Sequence, residues 1–401
     1  MKIVIASKNY PPAIGGAETT TFNLATGLAE LGHEVAVVTP GSKGLASNVV
    51  QEGKLRVLRL GSLPLPVKTK HRWARFNKRI VFDFLDEFAP DVIHFNNTST
   101  PSTAVINYGR KYGVAVVGGL HDMPDGYLFF LGQSGLKRYL IARGWNYFCK
   151  YYSRADMVVA PTQTALDYLL RVGLPKRIET CPISNGINID ANQPLRGDIA
   201  SVRRELGLDP ERQVILYVGR ISPEKGIYLL MNAYIGLAKR VKKLPYLIFV
   251  GRNTISDSLQ KMAEEAGVNG SVLLKGFVSE EEKLHLYQAC DVFVMPSPVE
   301  LQSIVTLEAM ACAKPVIGVD KAALPELIKP GVNGELVKEG DVGALTNRLA
   351  ELLADPAKCK RYGQAGHKIA LGHDIADMPK KHLEVYRRAI KLRAQGDLKK
   401  D

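Results

Sequence analysis

Along the chain, short apolar runs alternate with longer stretches whose apolar residues recur every three or four positions. The short runs read as buried strands and the longer stretches as amphipathic helices. In the first half the pattern predicts strands at Ile3–Ala6, Val35–Thr39, Val57–Leu60, Val92–Phe95, Val114–Val117, Met157–Ala160 and Ile178–Pro182. In the second half it predicts them from Val214, and at Leu247–Gly251, Val272–Lys275, Val292–Met295 and Val316–Val319. Phe22, Leu24, Ala25, Leu28 and Leu31 form the apolar face of the first helix, and Gly32-His33 stops it. From Asp341 the pattern is helical, ending in a stretch from Met378 to Leu392. Strand–helix alternation of this kind predicts an α/β fold with parallel sheets.

Polar residues interrupt that pattern where predicted strands end, the edge at which open α/β sheets bind ligands. Between the runs at 291–295 and 315–319, Ser303 to Ala311 fits one helix, with Ile304, Leu307 and Met310 inward and Ser303 as its cap. Glu300 and Glu308 then stand near the start of that helix; taken alone, they read equally well as two solvated glutamates. Gly15 and Gly16 open the first helix, and such glycines let backbone N–H groups approach a ligand closely, although many Gly-Gly pairs are only turns. Gly219-Arg220 and Lys225-Gly226 flank another helix start, where the dipole favours anions and where ion pairs with the protein's own carboxylates are the plain alternative. Val117-Gly-Gly-Leu-His121-Asp follows a predicted strand end, whereas the other seven histidines have no comparable setting.

Taken together these segments resemble the retaining glycosyltransferases of family four, which have the GT-B fold. In that family a Glu, seven residues and Glu-Ala-Met-Ala are followed by Gly-x-Pro-Val; here Glu300, Glu308, Ala309, Met310, Ala311, Pro315 and Val316 match. Leu301-Gln-Ser303 departs from the usual Gly-Phe-Gly, and Ala313 stands where Gly is usual, departures expected to face the transferred sugar. Pro11-Pro12 with Gly15-Gly16, Asn185-Gly186 and the spacing from Gly219-Arg220 to Lys225-Gly226 also match, so the resemblance spans nearly the whole chain. It implies two Rossmann-like doubly wound domains facing across a cleft: residues 1–188 for the acceptor, 189–377 for the nucleotide-sugar, and 378–401 as a helix returning to the first domain. Asn188 to Asp198 is expected to be the linker.

The resemblance further implies transfer of a hexose-type sugar, with retention, from a UDP- or GDP-linked donor to a lipid-linked or glycan acceptor. Arg220 and Lys225 would neutralise the departing diphosphate, Glu308 would accept from the ribose hydroxyls, and Glu300 would orient the sugar with Gln302, Ser303 and Ile304 beside it. His121 would contact the sugar, Gly15, Gly16 and Gly219 would line the site, and Phe277 and Val278 would meet the base. No metal is implied, since no Asp-x-Asp or His cluster offers a cation site, and no cofactor, because the nucleotide-sugar is a substrate. Other GT-B chemistries, a nucleotide-sugar epimerase or a phosphorylase, are the nearer alternative; a non-catalytic basic binding protein is the remoter one.

Composition changes this picture in one respect. With 401 residues, 46% hydrophobic and 23% charged, the chain is long enough for two cored domains. Five scattered cysteines show no metal-ligand spacing and fit a reducing compartment. The start, Met1-Lys-Ile-Val-Ile-Ala6, predicts a strand and no secretory signal, and no run approaches a membrane span, so a cytoplasmic setting is expected. A net charge of +13 asks for an anionic partner, yet no nucleic-acid motif accompanies it. Residues 54–82 hold nine Lys or Arg and no acid, and 126–155 hold five and no acid. Trp73, Phe76, Ile80 and Phe84 would share one helical face, with Arg72, Arg75 and Arg79 largely off it. In the second stretch Lys137, Arg138 and Arg143 mix with Tyr139, Trp145, Tyr147, Phe148 and Tyr151. Such a pattern predicts peripheral attachment to the anionic inner face of a membrane, against the plain reading that the aromatics pack on the sheet.

Overall fold

Most of the predicted strands form because β-branched and apolar residues are buried along their length, as parallel strands covered by helices require, while the edge strands at 179–182 and 272–276 are only half-buried. The computed structural model describes residues 1–397 except 9, 13, 14, 42, 43, 45, 65–71, 75, 76 and 123–134. It divides into two units, Met1–Asn185 with Ile375–Asp401, and Gly186–Asp374. In the first unit the strands are β1 (Lys2–Ala6), β2 (Glu34–Pro40), β3 (Asn48–Glu52), β4 (Leu55–Leu60), β5 (Ser62–Pro64), β6 (Arg72–Ala74), β7 (Val92–Phe95), β8 (Ala115–Gly119), β9 (Met157–Ala160) and β10 (Glu179–Pro182). Eight of them form one sheet in the order β10-β9-β8-β7-β1-β2-β4-β3. All its pairings are parallel except β3 with β4; β3 and the small antiparallel pair β5–β6 were not predicted. Their short, half-polar sequences carry no long apolar run.

Helix ends in this unit follow local chemistry. Asn77 caps Lys78–Phe88 by accepting from the Arg79 N–H at 3.0 Å, and Ala89 ends it in the left-handed region (φ 53°). The final helix, Asp377–Asp397, packs against β8 and the helix Gly16–Glu30, burying Met378, Leu383, Tyr386 and Ala389. Arg393 reaches Asp156 at 2.9 Å, and Asp156 also accepts from the Val116 N–H of β8. The C-terminal segment is thus a structural member of the first unit.

The second unit holds β11 (Val214–Val218), β12 (Tyr246–Val250), β13 (Val272–Gly276), β14 (Val292–Met295), β15 (Val316–Val319) and β16 (Gly334–Val337). They form an all-parallel sheet in the order β13-β12-β11-β14-β15-β16. β16 was not predicted, since Gly334 and Glu335 break its apolar run. The stretch 188–198, expected as a linker, packs instead on this unit. Ile187 and Ile189 enter its core, the Ile187 N–H donates to the His373 carbonyl at 2.9 Å, and the Gln193 carbonyl accepts from Gln288. The chain passes between units at 185–186 and again at 374–375.

Candidate active site

Strand order locates the site in each sheet. In the second unit, β11 connects outward to β12 on one side while β14 lies on its other side, so β11 and β14 flank the topological switch point. Because all six strands are parallel, their carboxyl ends share one edge. From the end of β11 the chain turns through Gly219 (φ 145°) and Arg220 into a short 3-10 turn, Pro223–Lys225, and then through Gly226 (φ 70°) into the helix Ile227–Ala238. A Cβ on Gly226 would lie 2.1 Å from the carbonyl oxygen of Pro296, just past β14. That close approach brings two loops together across the switch point.

Their juxtaposition places the Lys225 Nζ 2.7 Å from Glu300 Oε1, with both side chains largely shielded from solvent. Arg220 behaves differently: its side chain is 62% exposed and lies 3.2 Å from Glu224, which in turn accepts from the Ser222 hydroxyl at 2.6 Å. Both cations therefore carry protein carboxylates, as the plain alternative anticipated, and one of those carboxylates is itself a site candidate. Gln302 and Ser303 are buried beside Glu300, and Ile304 begins the helix Ile304–Ala311. Ser303 occupies the cap position, but its hydroxyl accepts from the Thr306 hydroxyl at 2.7 Å and makes no cap bond to the backbone. The expectation of side-chain capping is corrected on that point.

Glu308 lies one turn into this helix and is nearly buried. Burial pushes its carboxyl upward, while Lys283 (3.1 Å) and the Tyr287 hydroxyl (2.8 Å) pull it back down. After β13, Phe277 is 72% exposed and Val278 half-buried.

Ala313 was expected to face the sugar with the other departures. It lies instead past the far end of the helix, roughly 15 Å from Ser303 at 1.5 Å per residue. Its φ is 55°, its N–H donates to the Met310 carbonyl, and the Lys314 N–H donates to the Ala309 carbonyl. These two bonds make a Schellman turn, whose left-handed position ordinarily favours Gly. The departure therefore belongs to the helix end.

In the first unit the switch point lies between β1 and β7. Past β1, Gly15 is extended (φ 172°) and a Cβ there would meet Glu18 at 2.4 Å, whereas Gly16 faces open space. His121 follows β8, beside an ion pair of Lys8 Nζ with Asp122 at 2.6 Å. Contrary to expectation, His121 is not alone in its setting. His94 on β7 and His382 on the last helix lie with ring centres 5.4 Å apart, and the Tyr386 hydroxyl meets His94 Nδ1 at 2.9 Å. Burial holds His121 and His382 down to about 4 and His94 well below the usual imidazole range; neighbouring imidazoles add to the effect at His94 and His382, while at His121 Asp122 opposes it and Lys8 adds to it. His94 Nε2 and Asn96 Oδ1 crowd the α-carbon of Gly119, where a Cβ would lie 2.7 and 2.8 Å from them. Neither atom has a hydrogen-bond partner among the described residues.

The aromatic stripe is also corrected. Arg72–Ala74 form β6, and the nearest helix begins only at Lys78, so no single helical face joins Trp73 to Phe84; Arg75 and Phe76 lie outside the described residues. Phe84, Trp145, Phe148 and Tyr151 are core residues, leaving Ile80, Tyr139 and Tyr147 exposed. Side chains of Lys137 and Arg138 lie outside the described set. Among the described residues no His, Cys, Asp and Glu group could hold a metal ion, and no helix is long and apolar enough to cross a membrane. Sequence reading missed Lys8, Asp122, His94, Asn96, Lys283, Tyr287 and His382. Only Lys283, following three glutamates, carried any signal.

Comparison with known proteins bears directly on these two edges. Residues 198–369 match the family model described as Glycosyl transferases group 1, and residues 14–191 match Glycosyltransferase Family 4. An uncharacterised glycosyltransferase of Methanocaldococcus jannaschii is 29% identical over 88% of this chain and 90% of its own. An alpha-monoglucosyldiacylglycerol synthase of Acholeplasma laidlawii is 26% identical over 96% of this chain and 99% of its own. Among solved structures, Anabaena HepE in complex with UDP and glucose superposes with a TM-score of 0.74 at 21% identity, over 96% of this chain and 99% of that one.

Proposed function

The chain belongs to the family-four glycosyltransferases with the GT-B fold, and from that premise we propose that it moves a hexose-type sugar, with retention, from a UDP- or GDP-linked donor to a lipid-linked or glycan acceptor. The observation that carries this reading is the meeting of Lys225 and Glu300 across the β11/β14 switch point. A cation suited to a diphosphate and a carboxylate suited to sugar hydroxyls stand within one hydrogen bond of each other. When a donor binds, the Lys225 ammonium turns to the leaving phosphates, where fixed positive charge stabilises the developing negative charge. Arg220, exposed and only loosely paired, joins it from the same loop. Neutralisation by these side chains is the proposed substitute for a metal ion.

Glu300 is then free to orient the sugar, flanked by Gln302 and Ser303. Glu308 is assigned to the ribose hydroxyls, with Phe277 and Val278 assigned to the base. In the first unit His121, a neutral imidazole because of its burial, is assigned to the sugar, and Gly15 and Gly16 to the donor. UDP as donor nucleotide is supported by the UDP held in HepE, and a lipid acceptor by the name of the Acholeplasma relative. Peripheral membrane attachment at the cytoplasmic face is part of the same proposal.

The test is nucleoside diphosphate release from UDP-glucose and from GDP-mannose, with and without diacylglycerol vesicles, alongside calorimetric binding of UDP, GDP and ADP. Acceptor-dependent release with an α-anomeric product by NMR supports the reading. Release or epimerisation without acceptor moves the assignment to another GT-B chemistry, and no nucleotide binding at all overturns it.

A further inference from the structure

The carboxylate assigned to the ribose is already engaged at both oxygens by one neighbouring helix. From the helix Glu280–Ala289, Lys283 Nζ approaches Glu308 Oε1 at 3.1 Å and the Tyr287 hydroxyl donates to Oε2 at 2.8 Å. Lys283 and Tyr287 are four residues apart, so they stand on one helical face. Tyr287 is fully buried, and Lys283 is itself steadied by Glu280 at 2.7 Å. The groups that face Glu308 are thus Lys283 as the cation, Glu280 as an anion, and the neutral Tyr287 hydroxyl and Cys312 thiol.

An ionised carboxylate offers about four lone-pair positions. Lys283 and Tyr287 occupy two of them, leaving two acceptors for the two O–H groups of a ribose 2,3-diol. A protonated carboxyl would turn one acceptor into a donor and lose that match. We propose that Lys283 and Tyr287 are positioning residues that hold Glu308 as an oriented carboxylate for the ribose diol of the donor nucleotide. This inference rests on the assignment of Glu308 to the ribose. Geometry supplies both contacts, and burial supplies the need: a carboxyl this enclosed drifts toward its neutral form, and Lys283 is the charge that opposes the drift.

Removing that charge makes nucleotide binding more sensitive to pH. The measurement is calorimetric UDP affinity at about pH 8 and about pH 5.5 for the wild type, Lys283→Met and Lys283→Arg, with GDP and ADP run in parallel. In Lys283→Met the affinity is expected to fall at least about threefold further than in the wild type between the two pH values, because the carboxyl no longer has a cation opposing its protonation. The wild type and Lys283→Arg are expected to share one shallower slope, set by the terminal phosphate of UDP, which itself titrates near pH ~6. Tyr287→Phe, which keeps the charge and loses one hydrogen bond, is expected to show an intermediate slope and serves if Lys283→Met does not fold. Parallel pH profiles for all variants, whatever their offset, overturn the positioning role while leaving the assigned function standing. A wild type that binds none of the three nucleotides overturns both.

Discussion

Gly226 shows how much one missing side chain can decide. Its left-handed backbone and the 2.1 Å gap between a notional Cβ and the Pro296 carbonyl leave no room for any other residue. Gly226→Ala is expected to cost at least about 2 kcal/mol in a urea titration, from αL strain plus displacement of the Pro296 loop. It should also weaken donor binding by separating Lys225 from Glu300; unchanged stability would show that the contact relaxes freely. Arg220→Ala and Lys225→Ala should each lower turnover roughly ten- to a hundred-fold with the fold intact, as expected for losing ~1.5–3 kcal/mol of charged hydrogen bonding. Near-normal kcat in either variant removes that residue from the diphosphate assignment. At this scale the sequence was informative where spacing constrains backbone, as at Gly226 and Glu308. It was silent on Tyr287 and carried only a faint signal at Lys283, since both depend on a helix packing beside Glu308 from outside the motif. Ala313 misled because a motif position was read as a ligand position, when the left-handed turn at the helix end accounts for it.

Among the elements, the last helix of the chain matters most to the chemistry of the first unit. It presents His382 and Tyr386 to His94, and all three imidazoles, His121 included, are kept neutral by burial. Their folded values lie below the ordinary imidazole value, so the unfolded chain takes up protons first as pH falls. Stability is therefore complete above about pH 6.5 and declines toward pH 4, by up to about 1.4 kcal/mol per pH unit for each histidine. Urea midpoints across this range test the sign, and His382→Gln should flatten the slope; an unchanged slope would mean that His382 does not titrate on unfolding. Long apolar strands were legible because burial on both faces leaves an unbroken run. β3, β5, β6 and β16 were not, since their pairing comes from neighbours and not from their own composition. The proposed helix through Trp73 failed because a period fitted over a dozen residues ignored the break that Asn77 makes as a cap.

For the molecule as a whole, the excess positive charge has fewer aromatic companions at the surface than its sequence suggested. Helices Lys78–Phe88 and Gly135–Tyr152 both pack on Thr100–Tyr112, the first through Phe82 and Tyr108, the second through Tyr151, Ser99 and Thr103. What they leave outward includes Arg79, Ile80, Tyr139, Arg143, Tyr147 and Lys150. Binding to anionic vesicles is accordingly expected to be electrostatic in the main, at roughly 1 kcal/mol per basic residue near the surface. Co-sedimentation at low salt should be lost at high salt and in Arg79→Ser/Arg143→Ser/Lys150→Ser; equal retention on neutral vesicles would place the apolar contacts first.

The two units also differ in how the chain completes them. Residues 186–374 are contiguous, whereas the first unit needs the helix Asp377–Asp397 to cover β8 and to meet His94. On the ribosome, then, the part made first is finished last. Until that helix has been translated, the exposed flank of the first sheet is nascent-chain surface for chaperones to guard, while the second unit already has every residue it needs to fold.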